Sequence, residues 1–309
     1  VEALIKDYPN EALLYNISGV CYKAIDKLDA AVESFEKALA IKPDYIEACY
    51  NLGVTLKELG QLDVAVKCYK KAITLKPDYT DAHYNLGNAF KELGQLEDAA
   101  KSYEQALTFK PDHANAHNNL GNTLSDLGQL EDAVKSYKKA VAVKPDYAEA
   151  HNNLGVTLKD LDQLDTAIKC YEKALTLKPN YAEAHNNLGN IMKRLKRLDE
   201  ALASYESAIV LDPDLDYLLG NSLHTKMHLC IWDDLPNRLD ELTKKINNGE
   251  KVAMPFPLLS LIDNPGIHRK TAEIYANDKY PQNNFLPKIG RYPKHKKIRI
   301  GYFSADFNN

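Results

Sequence analysis

The prolines in the first two thirds of the chain stand at Pro9, Pro43, Pro77, Pro111, Pro145, Pro179 and Pro213, each 34 residues after the last. A fixed period of this length restricts a chain to a few repeat architectures, because every unit must be the same supersecondary piece in the same surroundings. Glycine keeps the step at Gly19, Gly53, Gly87, Gly121, Gly155 and Gly189. Alanine keeps it twice, from Ala31 to Ala201 and from Ala38 to Ala208, and an aromatic column runs Phe35, Tyr69, Tyr103, Tyr137, Tyr171, Tyr205. The phrase AEAHNNLG at Ala148 returns whole at Ala182.

With Ala114 as position 1 of a unit, the pattern predicts helix A from Ala114 to about Leu127 and helix B from about Leu130 to Val143. The intervening LGQLED supplies a glycine turn, and KPD stops helix B before the next unit begins. Gly121 and Ala133 let the two helices approach closely, and Leu120 and Tyr137 fill the remaining space. One helix pair buries too little apolar area to stand alone, so its stability comes from stacking on neighbours.

These landmarks resemble the tetratricopeptide repeat, over residues 1 to about 214: the tail of one repeat, then six full ones. Position 4, usually Trp in that family, is here Tyr15, Cys49 and then four histidines. The fold implied is all-α, a right-handed tetratricopeptide superhelix (an α-α solenoid), with a short C-terminal extension and one strand from a missing α/β domain.

At 100° per residue, positions 4, 7, 8 and 11 of helix A share the packing face, and positions 2, 5, 6, 9, 12 and 13 face the concave groove. Position 6 reads Ile17, Asn51, Asn85, Asn119, Asn153, Asn187, and position 9 adds Asn88, Asn122 and Asn190 among valines. Position 12 is Lys23, Lys57, Lys91, Ser125, Lys159, Lys193, and position 13 is mostly acidic until Arg194. A carboxamide offers a donor and an acceptor, so one Asn can pair with both groups of a peptide unit. Repeated rungs would hold an extended chain through its backbone, largely regardless of side chains. The alternative is solvent-exposed residues that persist because the repeats are recent duplicates. A grip on a terminal carboxylate, another use of such helices, is disfavoured by the acids Glu47, Asp81, Glu149 and Glu183 at position 2.

Net charge is −4, which gives no global attraction to nucleic acid or anionic membrane. Five scattered cysteines without a CxxC pair indicate reduced thiols in a cytoplasmic protein, and no apolar run approaches the length of a membrane span. His83, His117, His151 and His185 occupy the packing position, and successive repeats stack about 10 Å apart, too far for shared metal ligation at about 2 Å. His224, His228 and Cys230 lie at helical spacing, and metal binding there is not expected. No metal site and no cofactor are expected.

Past Pro213 the landmarks fade, with Leu223 and Leu235 where Gly and Ala should stand. The expected organisation is an array over 1–214, a degenerate capping repeat over 215–250, a transition segment and basic linker over 251–296, and a strand over 297–309. Residues 279–305 hold seven Lys or Arg and no acid. IRIGYFS, β-branched and aromatic, reads as a buried strand that needs a partner sheet. RIGYFSADFNN after such an array resembles the junction in the O-linked N-acetylglucosamine transferase family, whose first catalytic strand carries S-x-D-F-x-N-H. Ser304, Asp306, Phe307 and Asn309 match that motif. The resemblance implies a GT-B-like parent that moves N-acetylglucosamine from UDP-GlcNAc to protein Ser or Thr, with this chain recruiting substrate polypeptide and itself lacking the catalytic lobes. UDP-GlcNAc would then bind only the full-length parent. A stand-alone scaffold or adaptor with no transferase activity is the other expectation.

Overall fold

In a computed structural model, residues 1–280 are described, and among them there are 17 α-helices and no strand. The strand expected over 297–309 and most of the basic linker lie outside the described residues. Helix α1 (Glu2–Asp7) is followed by six A/B pairs: α2 (Ala12–Ala24) with α3 (Leu28–Ile41), α4 (Ile46–Glu58) with α5 (Leu62–Leu75), and α6 (Thr80–Glu92) with α7 (Leu96–Phe109). Then come α8 (Ala114–Asp126) with α9 (Leu130–Val143), α10 (Ala148–Asp160) with α11 (Leu164–Leu177), and α12 (Ala182–Arg194) with α13 (Leu198–Leu211). A looser unit closes the described chain: α14 (Leu218–His228), α15 (Leu235–Asn247), α16 (Pro255–Leu258) and α17 (Pro265–Lys279).

Each punctuation mark has a local cause. The residue before every periodic proline is pushed out of helical conformation by the proline ring, so Lys42 (φ −130°, ψ 90°), Lys76 and Lys110 are extended and helix B ends there. Helix A ends through one left-handed residue, Gly60 at φ 74°, Gly94 at 72° and Gly128 at 75°. The amide after it reaches back to close the turn, as in Gln61 N to Leu56 O at 2.8 Å. Asp26, Asp162, Lys196 and Cys230 hold the same column with φ between 56° and 61°, at a steric cost glycine avoids.

Within each repeat the glycine and aromatic columns are one device. A Cβ added to Gly121 would stand 2.7 Å from the Tyr137 ring, and the same holds from Gly19 against Phe35 to Gly189 against Tyr205. The ring occupies the volume that any side chain at the glycine would need. These rings, with the alanines beside them, run through a single core from Ala31 to Leu218.

The unit after Pro213 keeps the frame but not the packing. Leu223 stands in the glycine column and Leu239 in the aromatic one, and both belong to a second core with Leu242, Ile246, Val252, Leu258 and Ile267. The segment after α15 folds back on α14: Tyr217 and Gly220 N–H groups donate to the Lys251 and Val252 carbonyls. A Cβ at Gly220 would strike Ala253 at 2.7 Å, so only glycine admits this return. Tyr217, Lys251 and Lys279 all reach Asp278 and hold its carboxyl well below the usual carboxylate range, fastening α17 to the start of α14.

Candidate functional site

Positions 5, 6 and 9 of consecutive A helices meet across each joint between repeats. Asn51 Nδ2 donates to Asn16 Oδ1 (3.1 Å), Asn85 Nδ2 to Tyr50 OH (2.9 Å), and Asn119 Nδ2 to Tyr84 OH and Asn88 Oδ1 (3.1 Å each). Asn153 Nδ2 reaches Asn118 Oδ1 (3.2 Å) and Asn122 Oδ1 (3.1 Å), and Asn187 Nδ2 reaches Asn152 Oδ1 (3.1 Å). All five position-6 asparagines are half-buried. The expectation that each carboxamide is free to give a ligand both donor and acceptor is therefore narrowed. Asn119 and Asn153 spend both N–H groups on the preceding repeat, Asn85 spends one there and one on Asp81 O, and Asn51 and Asn187 spend one each. The carbonyls of Asn85, Asn119 and Asn153 take only contacts of 3.4–3.5 Å from Asn88, Asn118 and Asn152.

Position 9 has the opposite polarity. Asn88 Oδ1 accepts from Tyr103 OH at 2.8 Å, Asn122 Oδ1 from Tyr137 at 2.7 Å, and Asn190 Oδ1 from Tyr205 at 2.9 Å. Burial pushes these phenols far above their ordinary pKa, so they act as fixed donors. Among the described residues the Nδ2 groups of Asn122 and Asn190 have no protein partner, and that of Asn88 makes only a 3.5 Å contact with Asn85. Where position 9 is Val54 or Val156, the corresponding hydroxyls of Tyr69 and Tyr171 are buried without a partner among the described residues. The face thus offers a carbonyl acceptor at position 6, and an N–H donor wherever position 9 is Asn.

The lysines expected to face a ligand are largely occupied. Lys23 pairs with Glu58 (2.8 Å), Lys57 with Glu92 (2.7 Å) and Lys91 with Asp126 (3.6 Å), each reaching position 13 of the next repeat. Ser125 cannot reach Asp160, and Lys159 takes that acid instead at 3.2 Å. At this gap a recess of about 220 Å³ opens beside Lys91, Asn122, Ser125, Asn153 and Val156. Among the described residues Lys193 has no carboxylate partner: its Nζ donates to Asn221 Oδ1 at 3.4 Å, and burial lowers its pKa.

The position-4 histidines tie the proline loop to helix A. Since a carbonyl can only accept, the Nε2 atoms of His83, His117, His151 and His185 donate to the carbonyls of Pro77, Pro111, Pro145 and Pro179 at 2.9–3.1 Å. The reading of position 6 overlooked one rung: Asn221, one period after Asn187, donates to Asn190 Oδ1 at 3.3 Å. The 34-residue step alone marks it. No helix among the described residues is long and apolar enough to cross a membrane.

Comparison with known proteins agrees with this architecture. The sequence family described as "TPR repeat" matches residues 21–60, 55–94, 87–127, 121–162 and 157–196, and "Tetratricopeptide repeat" matches 182–215. Among solved structures, YrrB, a TPR protein with an unusual peptide-binding site, aligns at 25% identity over 63% of this chain and 99% of its own, with a TM-score of 0.54. MamA aligns at 25% identity over 52% of this chain and 95% of its own, with a TM-score of 0.51. PilF of Pseudomonas aeruginosa, at 18% identity over 66% of this chain and 92% of its own (TM-score 0.57), shares the fold alone. No curated protein gives a significant match. With the family pattern covering more than half the sequence, and paired helices in register beneath it, the chain belongs to the tetratricopeptide repeat family.

Proposed function

We propose that the A-helix face binds an extended segment of another polypeptide through its backbone, making the chain a protein–protein interaction scaffold. The observation that carries this reading is the split polarity of the carboxamides, with an acceptor at position 6 and a donor at position 9 held in place by protein hydrogen bonds. A peptide unit presents the complementary N–H and C=O, and groups already oriented lose little freedom on binding. The likeness to YrrB, a TPR protein with an unusual peptide-binding site, supports the same use of this fold.

A narrower role is substrate recruitment for a UDP-GlcNAc-dependent, O-GlcNAc-transferase-like parent. It is supported by the resemblance at Ser304, Asp306, Phe307 and Asn309, which lie outside the described residues. Many weak backbone contacts beside a catalytic region would raise the local concentration of acceptor polypeptide. As a stand-alone adaptor the face would work in the same way without that chemistry.

The test is the double substitution Asn122→Asp with Asn190→Asp. Each retains a carboxyl oxygen for its tyrosine and deletes the free N–H. Fluorescence anisotropy with neutral disordered peptides of unrelated sequence should show affinity falling by roughly twofold to tenfold per position, similarly for every peptide. Unchanged binding across the whole set overturns the reading.

A further inference from the structure

The joint between α12 and α14 lacks the lysine-to-acid pairing of the first three joints. Where Lys23, Lys57 and Lys91 meet an acid of the next repeat, Lys193 faces a repeat whose equivalent residue is His228, and its own neighbour Arg194 is turned to Asp162 at 2.5 Å. Among the described residues, the group holding the Lys193 ammonium is the neutral Asn221 carbonyl, itself buried and fixed through Asn190. Burial, Lys193 and His228 together push His224 down to about 4, so this imidazole stays neutral near pH 7 and adds no second cation. Two polar atoms at this joint, Asn186 Oδ1 and His224 Nδ1, are buried with no partner among the described residues. In the preceding repeats the position-5 carbonyls of Asn118 and Asn152 do receive a rung from the next helix. The carboxylates of position 2 stand at the opposite end of the A helices and do not neutralise this ammonium.

We propose that this end of the face, centred on Lys193, is a subsite for an acidic side chain of the bound polypeptide. It rests on the groove reading above and adds a preference to it: the amide rungs hold any backbone, and Lys193 selects Asp or Glu at one place along it. The other end has the complementary bias. On α2 the face carries Leu13, Ile17 and Val20, each between 39% and 50% exposed, in place of amides. A carboxylate at Lys193 forms a charge-assisted hydrogen bond with an ammonium that is partly shielded from water, stronger than a neutral contact on the same face.

The test uses the whole chain and three labelled peptides rich in Ser, Thr and Pro, long enough to run the length of the array. One carries a Glu pair near its N-terminus, one near its C-terminus, and one has Gln at both places. At low salt the parent should bind at least one Glu peptide about tenfold tighter than the Gln peptide. Lys193→Gln, which can still donate to Asn221, should erase that difference and leave the Gln peptide unchanged. Lys193→Arg should preserve the difference, and Lys138→Gln, which removes the same charge from exposed helix B surface, should leave it intact. Equal binding of Glu and Gln peptides by the parent overturns the subsite while leaving the groove standing, as does an equal loss for both on Lys193→Gln. Failure of the parent to bind any of the three overturns the groove reading and the subsite together.

Discussion

The six regular repeats and the unit that follows them solve the same packing problem in opposite ways. In α2 to α13 a glycine on helix A leaves a hole, and an aromatic ring from helix B fills it. In α14 and α15 the filler has moved to helix A as Leu223, with Leu239 where the ring would be, and the vacated side is covered by the returning segment Val252–Ala253 and by α16 and α17. The turn column survives the exchange, since Cys230 is still left-handed at φ 56°, and so does the rung Asn221. What the backbone frame requires is kept. What only the A-to-B contact requires is free to change once another surface covers the apolar side chains.

Substitutions can break this comparison at both ends. The largest effect is expected from Leu223→Ala, which opens a cavity in the second core and costs about 2–5 kcal/mol. Hydrogen exchange should show α14 to α17 opening while α4 to α11 keep their protection, because repeats couple chiefly to their neighbours. Loss of protection spread evenly over the chain would show that the two cores are one cooperative unit. The reverse change, Gly121→Ala, drives a methyl group into the Tyr137 ring and should cost about 1–3 kcal/mol in a denaturant melt.

Two tyrosines sharpen the point within the regular repeats. Tyr137→Phe removes a hydroxyl bonded to Asn122 and should cost about 0.5–1.5 kcal/mol. Tyr171→Phe removes a buried hydroxyl with no partner and should leave stability unchanged or raise it by up to about 1 kcal/mol. Equal losses for both would mean that the hydroxyl bond to position 9 contributes nothing. The smallest expected effect is at the shared turn: Lys196→Gly relieves a left-handed side-chain residue and should gain up to about 1 kcal/mol. Gly128→Lys should lose a similar amount, read as opposite shifts in melting temperature.

Much of the fold was legible because a residue and its role recur at one spacing. The glycine and tyrosine columns imply their contact, and the pre-proline lysines imply where helix B stops. The helix boundaries read around Ala114 and Leu130 fall within a residue of α8 and α9. The candidate site was less legible. That Asn119 gives its amide to Tyr84 and Asn88, and that Lys57 is neutralised by Glu92, depend on how far one repeat rotates over the next. Periodicity fixes the order of residues along a face but not their reach across a joint. Asn221 was in frame and still overlooked, because Leu223 and Leu235 beside it announce a change of packing. The described residues leave the stretch resembling a transferase junction outside this comparison.

Each rung looks back by one unit and never further, which makes the array's length a countable quantity. Excising residues 114–147 would bring Asn153 opposite Tyr84 and Asn88, the same two acceptors that Asn119 now uses. The seam would offer its incoming asparagine the acceptors that α6 offers now. A lineage can therefore lengthen or shorten such a molecule in whole steps by unequal exchange between its own copies. The span of polypeptide it embraces changes each time by one notch, and no joint has to be invented anew.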